Sequence, residues 1–396
     1  MSLCREPIGD YVERITTWSP AKSNIASFQY IDLSSVSQDE KSIVGANVMP
    51  TSEAPSRARQ IVQAGDVLVS TVRPNLNGVA HVPPQFDGCT ASTGFCVLRP
   101  REGRLSGRYL YHWVRSSLFV KDMVGKSTGA SYPAVSDKIV KASSIPLPPL
   151  DEQRRISAIL DKADSLRQKR KQAIALLDSL TQSIFLEMFG DPVSNPKGWP
   201  QNNSLSDIAD IASGITKGRK LRGEPTRTVP YLAVANVQDK TLKLDIVKTI
   251  EATEAEIGRY RLQVDDLLLT EGGDPDKLGR GSLWRGELHE AIHQNHIFRV
   301  RLTSNNVHPL YAMWLIGSDY GKRYFLKSAK QTTGIASINK TQLSNLPFLL
   351  PPKKLQQEFA DQAQAVKTKL DKLLTCEDLT NSLFSSLQHR AFSGEL

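Results

Sequence analysis

Cysteine is scarce: Cys4, Cys89, Cys96 and Cys376 are the only four in 396 residues, and none belongs to a CxxC pair. That spacing excludes a zinc ribbon and a disulfide framework and reads as reduced thiols. No stretch approaches the roughly 18 apolar residues that a membrane span needs, and the opening Met1-Ser2-Leu3-Cys4-Arg5 lacks the apolar core of a signal peptide. The chain is therefore expected in the cytoplasm, with no membrane partner. No G-x-x-x-x-G-K-[ST] loop is present, which excludes that type of ATP-driven motor. Methyl transfer would call for a Gly-rich cofactor loop and an Asn/Asp-Pro-Pro-aromatic motif. Asn195-Pro196-Lys197-Gly198 lacks both the second proline and the aromatic residue.

Two clusters imitate catalytic chemistry and are set aside. Glu271-Gly272-Gly273-Asp274-Pro275-Asp276-Lys277 crowds its carboxylates into one turn, whereas a metal-dependent nuclease needs them converging from paired strands. The first half of the chain has Thr71-Val72-Arg73-Pro74-Asn75 at the corresponding place. His289, His293 and His296 have no cysteine near them and lead into an alternating stretch, 297–302, so zinc is not expected. No catalytic residue, metal or cofactor is assigned.

Charge is in surplus, at +9. Residues 1–149 carry +4 (16 basic, 12 acidic) and residues 191–349 also carry +4 (21 basic, 17 acidic), while the segments after them are near neutral. A basic excess on two globular halves suits a polyanionic partner.

The chain is written twice. Tyr30-Ile31-Asp32-Leu33 matches Tyr231-Leu232-Ala233-Val234 at an offset of 201, and Asp66-Val67-Leu68-Val69-Ser70 matches Asp266-Leu267-Leu268-Leu269-Thr270 at 200. Trp113 matches Trp314 at 201, Ser127-Thr128-Gly129 matches Thr332-Thr333-Gly334 at 205, and Leu147-Pro148-Pro149 matches Leu350-Pro351-Pro352 at 203. A period this long means two domain-plus-helix modules rather than a solenoid. The boundaries read as 1–149, 150–190, 191–349 and 350–396. Each globular half mixes strand patterns, such as 65–70 and 94–98, with a helical one at 108–120, which makes it α+β.

The segments after the two proline pairs are heptad helices. Ile156, Ala163, Leu177 and Ile184 share one position and Ile159, Leu166, Ala173 and Leu180 the other, with Arg170 interrupting the seam. The second helix repeats this with Phe359, Val366 and Leu373, and with Ala363, Leu370 and Phe384. Such seams bury along a long, narrow partner, most economically one another, as an antiparallel coiled coil. About 36 helical residues make a rod of roughly 50 Å.

Pro146-Leu147-Pro148-Pro149-Leu150-Asp151-Glu152-Gln153-Arg154-Arg155-Ile156 resembles the start of the central conserved region of type I restriction–modification specificity subunits. Met188-Phe189-Gly190-Asp191-Pro192 with Pro196-Lys197-Gly198-Trp199-Pro200 is similar to that family's passage into its second target-recognition domain. Arg390-Ala391-Phe392-Ser393-Gly394-Glu395-Leu396 is similar to its C-terminal signature. The entry to the second helix, Pro351-Pro352-Lys353-Lys354-Leu355-Gln356-Gln357, lacks the acidic residue before the Gln. The resemblance implies a non-catalytic DNA reader with two α/β target-recognition domains in pseudo-two-fold repeat. Each domain would read one half of a bipartite, asymmetric double-stranded DNA target. The helices would space the domains and dock two methyltransferase subunits, to which restriction and translocase subunits add. The competing readings are a self-contained restriction or modification enzyme and a coiled-coil scaffold without a DNA role.

DNA contact calls for cations at phosphates and hydroxyl, amide or guanidinium groups at base edges, on exposed loops. The candidates are Lys217, Arg219, Lys220 and Arg222 in the densest basic loop. Lys126, Ser127, Thr128, Ser131 and Tyr132, with Lys330, Gln331, Thr332 and Thr333, occupy equivalent places in the two copies. Arg73 follows a strand of the first copy, and Lys277 and Arg280 lie in the corresponding loop of the second. Arg167-Gln168-Lys169-Arg170-Lys171 on the first helix could face DNA, a methyltransferase or solvent.

Overall fold

A computed structural model describes residues 4–220, 223–274, 278–332 and 335–396, with the backbone alone at 21, 330–332 and 335. The chain divides into two units, one of Met1–Ile174 with Lys372–Leu396 and the other Ala175–Asp371. Each long helix is shared between them. Leu150–Phe189 leaves the first unit after residue 174, and Lys353–Ser393 enters it at 372.

In the first unit the apolar run near residue 67 is the strand Val67–Ser70, antiparallel to Val79–His81 and Phe95–Pro100. Its side chains alternate between two cores, as a period of two demands. Val67 and Val69, with Cys96 and Leu98, face the helices, while Leu68, Phe95 and Val97 face the other way. Burial on both faces explains why this run is continuously apolar. Beyond the second face lies a five-stranded sheet of Thr16–Thr17, Ala58–Ile61, Thr90–Ser92, Ser27–Ile31 and Asn47–Pro50.

The second unit repeats the plan. Leu267–Thr270 pairs with Gly281–Leu283 and Ile297–Leu302, with Leu267 and Leu269 facing the helices and Leu268 the opposite core. Thr226–Leu232 runs parallel to Ile292–His293, as Ser27–Ile31 does to Thr90–Ser92. Behind each central strand, a carboxylate just before it takes a bidentate arginine from the next long strand. Asp66 meets Arg99 at 2.8 Å and Asp266 meets Arg301 at 2.7 Å. The stretch 108–120, expected as one helix, is two, Gly107–Val114 and Ser117–Lys126, because Ser116 caps the second by accepting from the Phe119 amide.

The long helices run antiparallel. In the first unit Arg155 donates to the Leu396 carbonyl at 2.7 Å, and Arg170 donates to the Cys376 carbonyl at 2.8 Å and to the Thr380 hydroxyl. Arg170, which interrupts the first seam, thus finds its partners on the second helix. In the second unit Phe359 meets Phe185 and Phe189, with ring centroids 5.4 and 5.5 Å apart.

A buried glutamine latches each helix entry to its domain. The Gln153 amide donates to the carbonyls of Pro148 and Arg104 and accepts from the Ser106 amide. Gln356 does the same with Pro351, Asn306 and His308. The acidic residue missing before Gln356 is therefore not part of the latch. At the exit of the first long helix, Gly190 turns with φ +76°, Trp199 Nε1 donates to the Phe189 carbonyl, and Lys197 Nζ donates to the carbonyls of Glu187 and Met188. These are the orphan acceptors of a helix C-terminus.

Candidate nucleic-acid interface

Three segments distant in sequence meet at one place in each unit. In the first, Val72 and Thr128 both bridge to Ala134. In the second, Gly273 and Gln331 both pair with Ala336. The partners lie 201, 203 and 202 positions further along the chain, so this three-segment pairing, isolated bridges in the first unit and a small sheet in the second, is itself part of the repeat. It carries the loop after the central strand together with the loop after the second short helix.

In the first unit this brings together Arg73, Lys126, Ser127, Thr128, Ser131 and Tyr132. Arg73 sits in left-handed backbone, φ 49° and ψ 63°, and its amide donates to the Pro133 carbonyl at 2.7 Å. Its guanidinium lies 4.6 Å from the centre of the Tyr132 ring, which is itself 68% exposed. Gly129 makes the turn possible, with φ +102° and space so tight that a Cβ would stand 2.9 Å from the Tyr132 carbonyl oxygen. Ser127 closes the Ser117–Lys126 helix by donating to the Val124 carbonyl, and Lys126 pairs with Asp122 at 2.8 Å, one turn earlier. Thr128 and Ser131 are exposed.

In the second unit Lys330–Thr332 forms one strand of the small sheet, described by backbone alone, and Thr333 lies outside the described residues, as do Lys277 and Arg222. Arg280 donates from Nη1 to Gln238 Oε1 at 3.2 Å, while its buried Nε has no hydrogen-bond partner among the described residues. His296 Nδ1 meets Glu271 at 2.6 Å beside the Gly272–Gly273 strand. The basic loop lies on a different element. Arg219 pairs with Glu256 through two nitrogens and also donates to the Glu251 carbonyl, so its donors are engaged within the protein. Lys217 lies 5.5 Å from the Tyr231 ring centre, and Lys220 is exposed. Of the basic residues at 167–171 on the first long helix, Arg167 pairs with Asp164 and Arg170 crosses to the second helix, leaving Lys169 and Lys171 exposed.

Sequence reasoning missed two lysines that shape this place. Lys41 donates to the carbonyls of Asn77 and Leu76, which fixes the turn following Arg73. Burial and the nearby Arg115 charge pull its pKa down to about 8. Lys240 lies 4.5 Å from the Trp314 ring centre, and its amide donates to the Gly281 carbonyl. Both lysines have φ near +55°. Gln38-Asp39 and Gln238-Asp239, just before them, repeat at an offset of 200 and carried the signal.

An ionic cluster fixes the first domain to the first long helix. Asp164 receives Arg115 at 2.8 and 3.1 Å, and Asp161 receives His112 at 2.7 Å together with Arg108. Burial opposes ionisation of Asp161, but hydrogen bonds from His112 and Arg108 outweigh it and hold its pKa down at about 2. Burial pushes the His112 pKa below its ordinary value. In the second unit Tyr311, Trp314, Phe185, Phe189 and Phe359 form an aromatic cluster instead.

Comparison with known proteins agrees with this architecture. The family model of the type I restriction modification DNA specificity domain matches residues 39–176 and 196–376. The type I restriction enzyme StySPI specificity subunit of Salmonella potsdam is 26% identical over 76% of this chain and 68% of its own length. The EcoKI specificity subunit of Escherichia coli strain K12 is 25% identical over the same shares. The crystal structure of the HsdS subunit from Thermoanaerobacter tengcongensis superposes with a TM-score of 0.51 at 25% identity, covering 99% of this chain and 97% of that one. A chain solved in work on assembly and conformational transition of the type I R-M system gives a TM-score of 0.63, covering 100% of this chain and 98% of that one; at 24% identity it speaks for the fold. No helix among the described residues is long and apolar enough to cross a membrane. With two matched segments that together span most of its length, this chain belongs to the type I restriction–modification DNA specificity family.

Proposed function

We propose that this chain is the non-catalytic DNA-reading subunit of a type I enzyme, with residues 1–149 and 191–349 each reading one half of a bipartite, asymmetric double-stranded target. The observation that carries the reading is the repeated three-segment pairing, Val72–Ala134–Thr128 and Gly273–Ala336–Gln331, whose flanking sequences differ between the two copies. Equivalent scaffolds with different side chains suit half-sites of different sequence. The reading surface of the first domain comprises Arg73, Lys126, Ser127, Thr128, Ser131 and Tyr132. In the second it comprises Lys330, Gln331, Thr332 and Arg280, with Lys217 and Lys220 at phosphates. The long helices at 150–190 and 350–396 act as spacer and as the dock for two methyltransferase subunits, which the restriction and translocase subunits join.

The test is co-expression with the cognate methyltransferase subunit in a strain lacking other DNA methylases, followed by genome-wide mapping of adenine methylation. A split motif that requires both proteins is the expected result. A complex that forms without methylating a split motif contradicts the reading, and so does methylation or cleavage by this chain alone.

A further inference from the structure

We infer that Arg73, held over the Tyr132 ring, reads a guanine in the half-site of the first domain; this rests on the reading proposed above. Three observations separate Arg73 from an ordinary surface cation. Its backbone is held in left-handed geometry by the 2.7 Å bond from its amide to the Pro133 carbonyl, so the direction in which its side chain leaves the loop is set. The guanidinium carbon lies over the Tyr132 ring, 4.6 Å from its centre. A cation–π contact restrains the group without using any of its N–H donors as a hydrogen bond to an acceptor atom, so they remain able to form two parallel hydrogen bonds. Finally, among the described residues no ion pair engages Arg73, whereas Arg219 and Lys126 each have a carboxylate partner.

Phosphate attraction needs only a positive charge and tolerates a mobile side chain. An arginine oriented at its backbone and held over an aromatic ring is prepared for a partner with two acceptors in one plane. In duplex DNA the major-groove edge of guanine, O6 and N7, is that partner. Preorganisation of this kind lowers the ordering cost of the contact and sharpens discrimination. The second copy has Gly273 and Asp274 at the corresponding place, so the inferred guanine contact belongs to one half-site only.

The experiment compares methylation motifs of the intact complex carrying wild-type chain, Arg73→Ala, Arg73→Lys or Tyr132→Ala, with co-purification of the methyltransferase subunit as the control for folding. Both Arg73 variants should relax one guanine position in one half of the motif, with discrimination there falling about 5- to 150-fold, the range a bidentate base contact contributes. The other half should be unchanged, and Tyr132→Ala, which removes the ring beneath Arg73, should relax the same guanine position and no other. Restoration of the full motif by Arg73→Lys, with Arg73→Ala weakening all sites equally, would make Arg73 a phosphate contact and overturn the inference. A wild-type split motif with no guanine in the corresponding half, or one indifferent to both Arg73 variants, also overturns it while leaving the proposed function intact. Absence of any split motif from the wild type overturns both.

Discussion

Asp164→Ala tests the ionic attachment of the first domain. Asp164 and Arg115 are nearly buried, with side chains 7% and 3% exposed, and are joined by two hydrogen bonds. Arg115 also lies 4.7 Å from the Tyr111 ring centre and 5.7 Å from that of Phe384, on the second long helix. Removing the carboxylate leaves a guanidinium in a site that water reaches poorly, and losing one partner of a buried pair costs about 3–5 kcal/mol. With a urea dependence of about 1–3 kcal/mol per molar, the transition of the first unit should move down by one to several molar. Hydrogen exchange read by mass spectrometry gives the local measure. Amides of Gly107–Val114 and of the start of the first long helix should lose protection, while strand Leu267–Thr270 should keep it. Arg115→Met with Asp164→Leu removes both charges and fills the volume, and should return stability to within about 1 kcal/mol of the wild type. The reasoning is refuted if the single variant shifts stability by less than about 1 kcal/mol, or if the double variant is as destabilised as the single.

Other outcomes follow from the same geometry. Phe359→Ala should cost the second unit about 3–5 kcal/mol, because its buried ring touches Phe185, Phe189 and Trp314; calorimetry should show that transition moved. The Asp161 pKa is depressed to about 2, so its ion pairs contribute stability above the ordinary carboxylate pKa near 3.9 and lose it as pH falls towards 2. The stability advantage of wild type over Asp161→Asn, followed by urea unfolding, should shrink across that window; a constant difference would contradict the assignment. Lys217→Ala should lower the slope of log affinity for DNA against log salt by about 1 without changing the methylated motif, as expected of one phosphate contact.

Much of the architecture was legible because repetition is robust to divergence. Five anchors placed two modules, and of the heptad positions assigned in the second long helix Phe359, Ala363, Val366 and Phe384 are buried while Leu370 and Leu373 are half-buried. The first long helix was less faithful. Leu166 and Leu180, assigned to its seam, are 56% and 40% exposed, while Leu160 and Phe185, outside the heptad frame, are buried. Near its ends this helix packs on a globular domain as well as on the other helix, so tertiary context overrides a strict seven-residue period. The sequence marks the loops at 73 and 126–132 separately, but their meeting through Val72, Thr128 and Ala134 is a long-range pairing with no local pattern. Arg219 looked available in sequence because Glu256, its partner, lies 37 positions away. The latch glutamines stood inside the recognised motif, yet their role emerges only with the carbonyls of Arg104 and Asn306 in place.

The central claim is that the two domains read separate halves of one target. Replacing residues 1–149 by the first domain of another family member, within the co-expressed complex, tests it most directly by mapping of the methylated motif. The account predicts a new sequence in one half and an unchanged sequence in the other. Changes in both halves, or in neither, while the complex still assembles and methylates, would contradict it.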